Sequence, residues 1–136
     1  MEKKFSILDE SFGPKEVPFV VHKHDPRSGS IHFDIRFLDN RNPKILHSFA
    51  APSNFLATAK SKTLVVKTRD HDPRWLTLKS YRLQEIDHGL VTIKISSTKY
   101  FELEFHGKVL NGTYKLFKMS NTFRADRWLL IKKQSI

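Results

Sequence analysis

The stretch SIHFDIRFLD, residues 30–39, decides the fold. Ile31, Phe33, Ile35 and Phe37 alternate with His32, Asp34 and Arg36. That is the period-2 pattern of a half-buried β-strand, in which successive side chains face opposite ways. One face packs into a core, and the other presents an imidazole, a carboxylate and a guanidinium in a row. Upstream, VPFVVHKH (residues 17–24) has the β-branched and aromatic density of another strand, with His22 and His24 on one face. The intervening DPRSGS breaks the chain at Pro26 and Gly29. Paired as a hairpin, the two strands bring His24 beside His32.

Strand patterns recur at residues 62–69, 90–95, 100–105, 113–119 and 127–133. Asn111-Gly112, between Val109-Leu110 and Thr113-Tyr114, predicts a tight hairpin turn, because both residues tolerate positive φ. Only NFLATAKSK, residues 54–62, is helical in pattern, and DHDPRW after the third strand reads as a turn. Seven or so short strands joined by tight turns predict a mainly β fold, a small antiparallel β-barrel with one or two short helices. Residues 1–16, mixed in charge, read as an N-terminal arm, and residues 17–136 as a single barrel domain. A chain of 136 residues is long enough for one domain that buries roughly two thirds of its unfolded surface.

Twenty-four Lys and Arg against fourteen Asp and Glu give a formal charge of +10, which favours a polyanionic partner. Residues 108–136 hold seven of the cations and one acid, Asp126, so the C-terminal strands are the candidate basic surface. The chain has no cysteine, which excludes a disulfide framework or a thiolate zinc site and suits a reducing compartment. MEKKFSILDESFG carries no apolar leader region, and no apolar run approaches the roughly twenty residues that span a bilayer. The expectation is a cytoplasmic protein without a membrane partner.

His24, His32 and Asp34 make a two-histidine, one-carboxylate set, a ligand type that holds a divalent first-row metal with positions left open. Arg36 comes next on the same face, where a planar guanidinium can fork onto a phosphate. His71 is a further imidazole able to orient or protonate a leaving oxygen. Metal, anion clamp and proton donor together point to phosphoryl-ester chemistry. Two other readings stay open on pattern alone. A solvated strand face shows the same alternation. His32-x-Asp34 with a distant His88 or His106 would also make the facial triad of a non-haem iron oxygenase.

FVVHKHDPRSGSIHFDIRF (residues 19–37) resembles the signature of the 3'-phosphoesterase domain of bacterial DNA ligase D and its stand-alone relatives. In that family the pattern runs Phe-Val-Val-Gln-Lys-His, a short loop, then His-Tyr-Asp-Phe-Arg. LHSFAAPSNF resembles the family's Ser-Trp-Ala-Val-Pro segment, and VVKTRDHDPRW its Val-x-x-Glu-Asp-His-Pro segment. LEFHGKVLNGTYKLFKM and RWLLIKK resemble its closing strands, so the likeness spans residues 19–134.

The resemblance implies a small β-barrel with a crescent-shaped groove and manganese-dependent trimming of nucleic-acid 3' ends. The chemistry would be removal of a terminal ribonucleoside, of a 3'-phosphate, or both. It places Mn2+ on His24, His32 and Asp34 and the scissile phosphate on Arg36 and His71. Partners would be DNA or RNA–DNA primer-templates, in DNA repair, with a ligase or polymerase on separate chains. The chain departs from the pattern at several positions. The family's Gln is His22, which shares a face with His24 and would either add a ligand or cover the core edge; its Lys after Ala-Val-Pro is Ser53, and its Tyr four residues past the third His is Trp75. LQEIDHGLVTI replaces a Gly-rich rim, with His88 in it as an exposed loop residue. Lys3, Lys4, Phe5 and Glu10 echo an Arg-Asp-Phe arm with a later Glu, which makes Glu10 a candidate substrate contact. Loss of a cation at Ser53 and of a phenol at Trp75 would also permit a basic barrel that binds nucleic-acid ends without turnover. Trp75, Tyr81 and Phe123 would then be the stacking platforms.

Overall fold

A computed structural model describes residues 14–119 and 125–134. Eight strands occur there in chain order. They are β1 (Lys15–His24), β2 (His32–Leu38), β3 (Leu46–Ala51), β4 (Lys62–His71), β5 (Leu83–Ser96), β6 (Tyr100–His106), β7 (Asn111–Lys118) and β8 (Arg127–Lys132). They close into one antiparallel barrel in the order β1-β2-β3-β4-β8-β7-β6-β5. The predicted small barrel is therefore the fold. Two four-stranded meanders, β1–β4 and β5–β8, are joined along β4–β8 and β1–β5. No described helix is long and apolar enough to cross a membrane.

The inward row of β2, Phe33, Ile35 and Phe37, packs with Val17, Phe19 and Val21 of β1 and with Phe49, Phe101, Leu103, Phe105, Tyr114 and Trp128 from the other strands. Eight strands enclose an interior just wide enough for side chains to fill. Edge-to-face rings do much of the filling: Phe37 against Phe101 at 5.2 Å, Phe49 against Trp128 at 5.3 Å and Phe19 against Phe105 at 4.9 Å. Tyr114 is buried with the rest, and its hydroxyl donates to the Ala59 carbonyl at 2.7 Å.

Several local expectations need correction. Leu46–Ala51 is a strand that the alternation alone does not announce, because both of its faces are largely buried. The helical pattern at residues 54–62 yields one turn, α1 (Phe55–Thr58), before Lys62 joins β4. A 3-10 turn at Pro73–Leu76 is the second short helical element, opened by Asp72, whose side chain accepts from the Arg74 N–H. β1 starts at Lys15, two residues ahead of the expected strand. β5 runs from Leu83 to Ser96, so the expected rim loop is a strand and His88 sits on it opposite Val20. Glu10 and Phe123 lie outside the described residues.

The hairpin turn between β6 and β7 falls at residues 107–110, not at Asn111-Gly112. The reason is Asp87. Its buried carboxylate accepts backbone N–H groups from Lys108 (2.8 Å), Val109 (2.9 Å) and Leu110 (2.8 Å), and from His88 (3.0 Å). These bonds hold the turn earlier in the chain, and Asn111 then pairs with His106 as a strand residue. Gly112 keeps its positive φ of 107° inside β7. Gly107 is needed for contact: a Cβ there would lie 2.5 Å from Asp87 Oδ2. Asp87→Ala is expected to destabilise the barrel by about 3 kcal/mol or more, since it leaves several buried donors unpaired. A drop in the urea midpoint at unchanged m-value reads this effect, and an unchanged midpoint would refute the role.

Candidate metal centre

β1 and β2 pair in the register that sets His24 opposite His32 and His22 opposite Asp34. Cross-strand partners share a face, so His22, His24, His32, Asp34 and Arg36 all point out of the barrel while Val21, Phe33 and Ile35 point in. On the other side of β1 a β-bulge falls between Val21 and His22. It lets Asp87 face inward opposite Val21 and Glu85 face outward opposite His22, which one regular ladder could not do.

Outward side chains of a barrel are ordinarily wet, yet His22 (2% exposed), Asp34 (3%), Arg36 (2%) and Ser48 (0%) are buried. Topology accounts for this. β4 and β5 are not neighbours, so the connection of residues 72–82 must cross to the far side of β1. It packs its 3-10 turn on β1 and β2. Trp75, on that turn, lies with its ring 4.8 Å from the Arg36 guanidinium and 4.8 Å from the His71 ring. The crossing strap roofs the inner half of the polar row and leaves His24 and His32 part-exposed at its edge.

The three expected ligands come together. His24 Nδ1 lies 3.2 Å from His32 Nε2 and 3.2 Å from Asp34 Oδ2, and His32 Nε2 lies 3.2 Å from Asp34 Oδ1. Metal–imidazole bonds of about 2.1 Å at right angles place ligand atoms about 3.0 Å apart, so this triangle fits one face of an ion with open positions. The hydrogen bonding supports the fit. His32 Nδ1 is 3.2 Å from the Ser30 carbonyl, which can only accept. A neutral His32 therefore keeps its proton on Nδ1 and turns the Nε2 lone pair toward the Asp34 carboxylate. Lone pairs converging on one point are what a cation reconciles, and a backbone carbonyl orienting the far ring nitrogen is the usual support for such a ligand. Among the described residues, the one group able to hold a metal is this set, without His88 or His106. His88 Nδ1 instead pairs with Glu85 at 2.9 Å on the barrel surface.

Arg36 is clamped from three directions. Nη1 donates to His22 Nδ1 at 3.0 Å, Nη2 donates to Asp34 Oδ2 at 3.1 Å, and Trp75 covers its face. Its Nε is buried without a hydrogen-bond partner, and so is Oγ of Ser48, its cross-strand neighbour on β3. Buried polar atoms left unpaired are uncommon, and two side by side set this spot apart from the rest of the barrel wall. Ser48 is a site residue that sequence reasoning passed over: it stands in LHSFAAPSNF, but only the β2–β3 register sets it against Arg36. His22, in turn, is an acceptor for Arg36 and not a fourth metal ligand.

His71 flanks this group. Burial, and after it the Arg36 charge, hold its pKa below the ordinary histidine value. The same two causes, in the same order, lower the pKa of His22. Ser53 is exposed on the loop after β3 and lines, with His32, Pro26, Gly29 and Pro52, an open cleft of about 450 Å³ beside the metal ligands. His22, His24, His32, Asp34, Arg36, His71 and Trp75 thus adjoin one another, Ser53 shares a cleft with His32, and Glu10 and Phe123 lie outside the described residues. No protein-family model matches the chain, and no curated protein matches it.

Manganese is expected to raise the thermal midpoint, with about 2.7 kcal/mol of added stability at a hundred times its Kd. EDTA should reverse the shift and His32→Ala should abolish it; a midpoint indifferent to manganese would remove the metal centre. The loss-of-carboxylate control is Asp34→Asn, because its amide oxygen still accepts from Arg36 Nη2, a partner that Asp34→Ala removes. A second expectation follows from the lowered pKa values. Folding lowers the proton affinity of His22 and His71, whereas in the unfolded chain both take up a proton as the pH falls through about 6.5. The unfolded state thus binds more protons, and stability should decline below that pH. His22→Gln, which keeps an acceptor for Arg36, should flatten the decline in urea midpoints measured across this range; an equally steep decline would show that His22 is not its source.

Proposed function

We propose that this protein is a divalent-metal-dependent phosphoesterase that processes 3' ends of nucleic acids. The observation that carries the proposal is the juxtaposition of a metal-competent triangle with a buried guanidinium whose Nε lacks a partner. Phosphate is the ligand chemistry that answers both at once, with one oxygen on a cation and others on donors. The +10 charge of the chain and the motif resemblance to DNA ligase D 3'-phosphoesterase domains both favour a nucleic-acid substrate.

A bound manganese ion would supply a Lewis acid and a water of lowered pKa. The chain's own groups do the rest. Arg36, held by His22, Asp34 and Trp75 beside the metal-competent triangle, offsets the charge that develops on the phosphoryl group. Such preorganised donors contribute more in a site shielded from water than in the open. His71, neutral in the free protein, gains proton affinity when a phosphate offsets the Arg36 charge, and it can then pass a proton to the departing oxygen. Trp75, where the resembled family has Tyr, donates from its indole but accepts nothing, so it serves as a roof over the guanidinium and not as a proton carrier.

The second reading is a module that binds 3' ends without turnover. The observation in its favour is Trp75 itself, which takes up one face of Arg36 and brings no exchangeable phenol.

The deciding assay incubates the protein and manganese with primer-templates ending in a 3'-phosphate or one 3' ribonucleotide, resolved on denaturing gels. Shortened or dephosphorylated primer that disappears with EDTA and falls at least a hundredfold in Asp34→Asn is the expected result. Unchanged primer, with retained binding in a shift assay, would replace the esterase by the binding module.

A further inference from the structure

Next to the metal ligands stands a feature that the phosphoryl chemistry does not use. Residues 80–83 form a tight turn closed by the Leu83 N–H donating to the Ser80 carbonyl at 3.0 Å, with Ser80 Oγ accepting from the Arg82 N–H at 3.2 Å. The centre of such a turn ordinarily takes Gly, Asn, Asp or Pro. Here it is Tyr81-Arg82. Tyr81 is 85% exposed, far more than any other large hydrophobic side chain among the described residues.

The pair is also preorganised. The Arg82 guanidinium lies 4.8 Å from the Tyr81 ring centre, its Nε donates to the Tyr81 hydroxyl at 3.0 Å, and its Nη1 donates to the Asp25 carbonyl at 3.2 Å. Asp25 follows the metal ligand His24 directly, the Asp25 N–H donates to the Arg82 carbonyl at 2.9 Å, and Leu83 pairs with His24. Tyr81 is therefore tied to the strand end that carries the ligand. The turn that presents it leads directly into Leu83, the strand partner of His24. A cleft of about 340 Å³ opens beside this turn, lined by Lys79, Ser80, Leu83 and Glu85 and by His22, the buried acceptor of Arg36.

We infer that Tyr81 is a stacking subsite for an unpaired nucleobase next to the scissile end, with Arg82 holding the ring in place and Lys79 and Arg82 attracting the backbone. An aromatic face accepts any base, so such a subsite selects for single-stranded or frayed 3' ends over blunt duplex without reading sequence. The inference rests on the nucleic-acid reading of the metal centre, but it concerns binding and is measured without turnover.

The test uses the full chain in EDTA and fluorescence anisotropy with two duplexes. One carries a short single-stranded 3' tail, and its twin carries the same tail with abasic residues. For the unaltered protein the abasic tail should bind roughly tenfold more weakly. Tyr81→Ala should lose that factor on the intact tail and be indifferent to removal of the bases, while Tyr81→Phe should bind as the unaltered protein does. Equal loss on both tails, or no loss on either, overturns the subsite. Base-dependent binding through Tyr81 in a protein that never cleaves would uphold it and count against the esterase instead. Manganese-dependent cleavage with Tyr81→Ala binding unaltered would remove the subsite alone.

Discussion

One carboxylate ties this molecule's candidate chemistry to its fold. Asp34 is buried on the outer face of the barrel, receives Arg36 Nη2 on Oδ2 and places its two oxygens 3.2 Å from His24 and His32. A buried carboxylate needs charged or hydrogen-bonding partners on every side, and each partner here comes from a defined place: Arg36 two residues along the same strand, His32 two residues back, His24 across the ladder. If the β1–β2 register slipped by one residue, the whole row would turn into the hydrophobic interior. The alternation that packs Phe33, Ile35 and Phe37 inside is thus the same constraint that assembles the polar row outside.

The crossing connection of residues 72–82 converts that row into a site. An exposed guanidinium on a barrel surface would be solvated and mobile. Under Trp75, and bonded through Nη1 to His22 and through Nη2 to Asp34, it loses its water, while Nε has no acceptor. The burial that does this also lowers the pKa of His22 and His71, because desolvation penalises the charged imidazole and the Arg36 charge acts in the same direction. A neutral His22 is then the acceptor that Arg36 requires. Stability and poise come from one device, a strap forced over β1 and β2 because β5 pairs with β1 and not with β4.

Much of this was legible beforehand and some was not, for identifiable reasons. The period-2 stretch of residues 30–39, the strand before it and the polar loop between them were enough to pair His24 with His32, and strand density elsewhere was enough for an antiparallel barrel. Residues 46–51 escaped because a strand buried on both faces shows no alternation. Asn111-Gly112 is a good local turn, yet three N–H bonds from residues 108–110 to Asp87, on a distant strand, outweigh that local preference. His22 was open between ligand and filler, and only its contact with Arg36 shows it to be an acceptor.

Local chemistry thus sets which side chains share a strand face, since alternation depends only on backbone geometry and on which residues avoid water. Residues 17–39 alone give the candidate ligand types, their order and the neighbouring guanidinium. Burial, by contrast, depends on what lies over a face, and that depends on the order in which strands pair around the barrel. The placing of Ser48 beside Arg36, the Trp75 roof, the neutral His22 and the Tyr81-Arg82 turn against the end of β1 all join residues from different strands or loops. No pattern along the chain encodes such meetings; closing the barrel creates them.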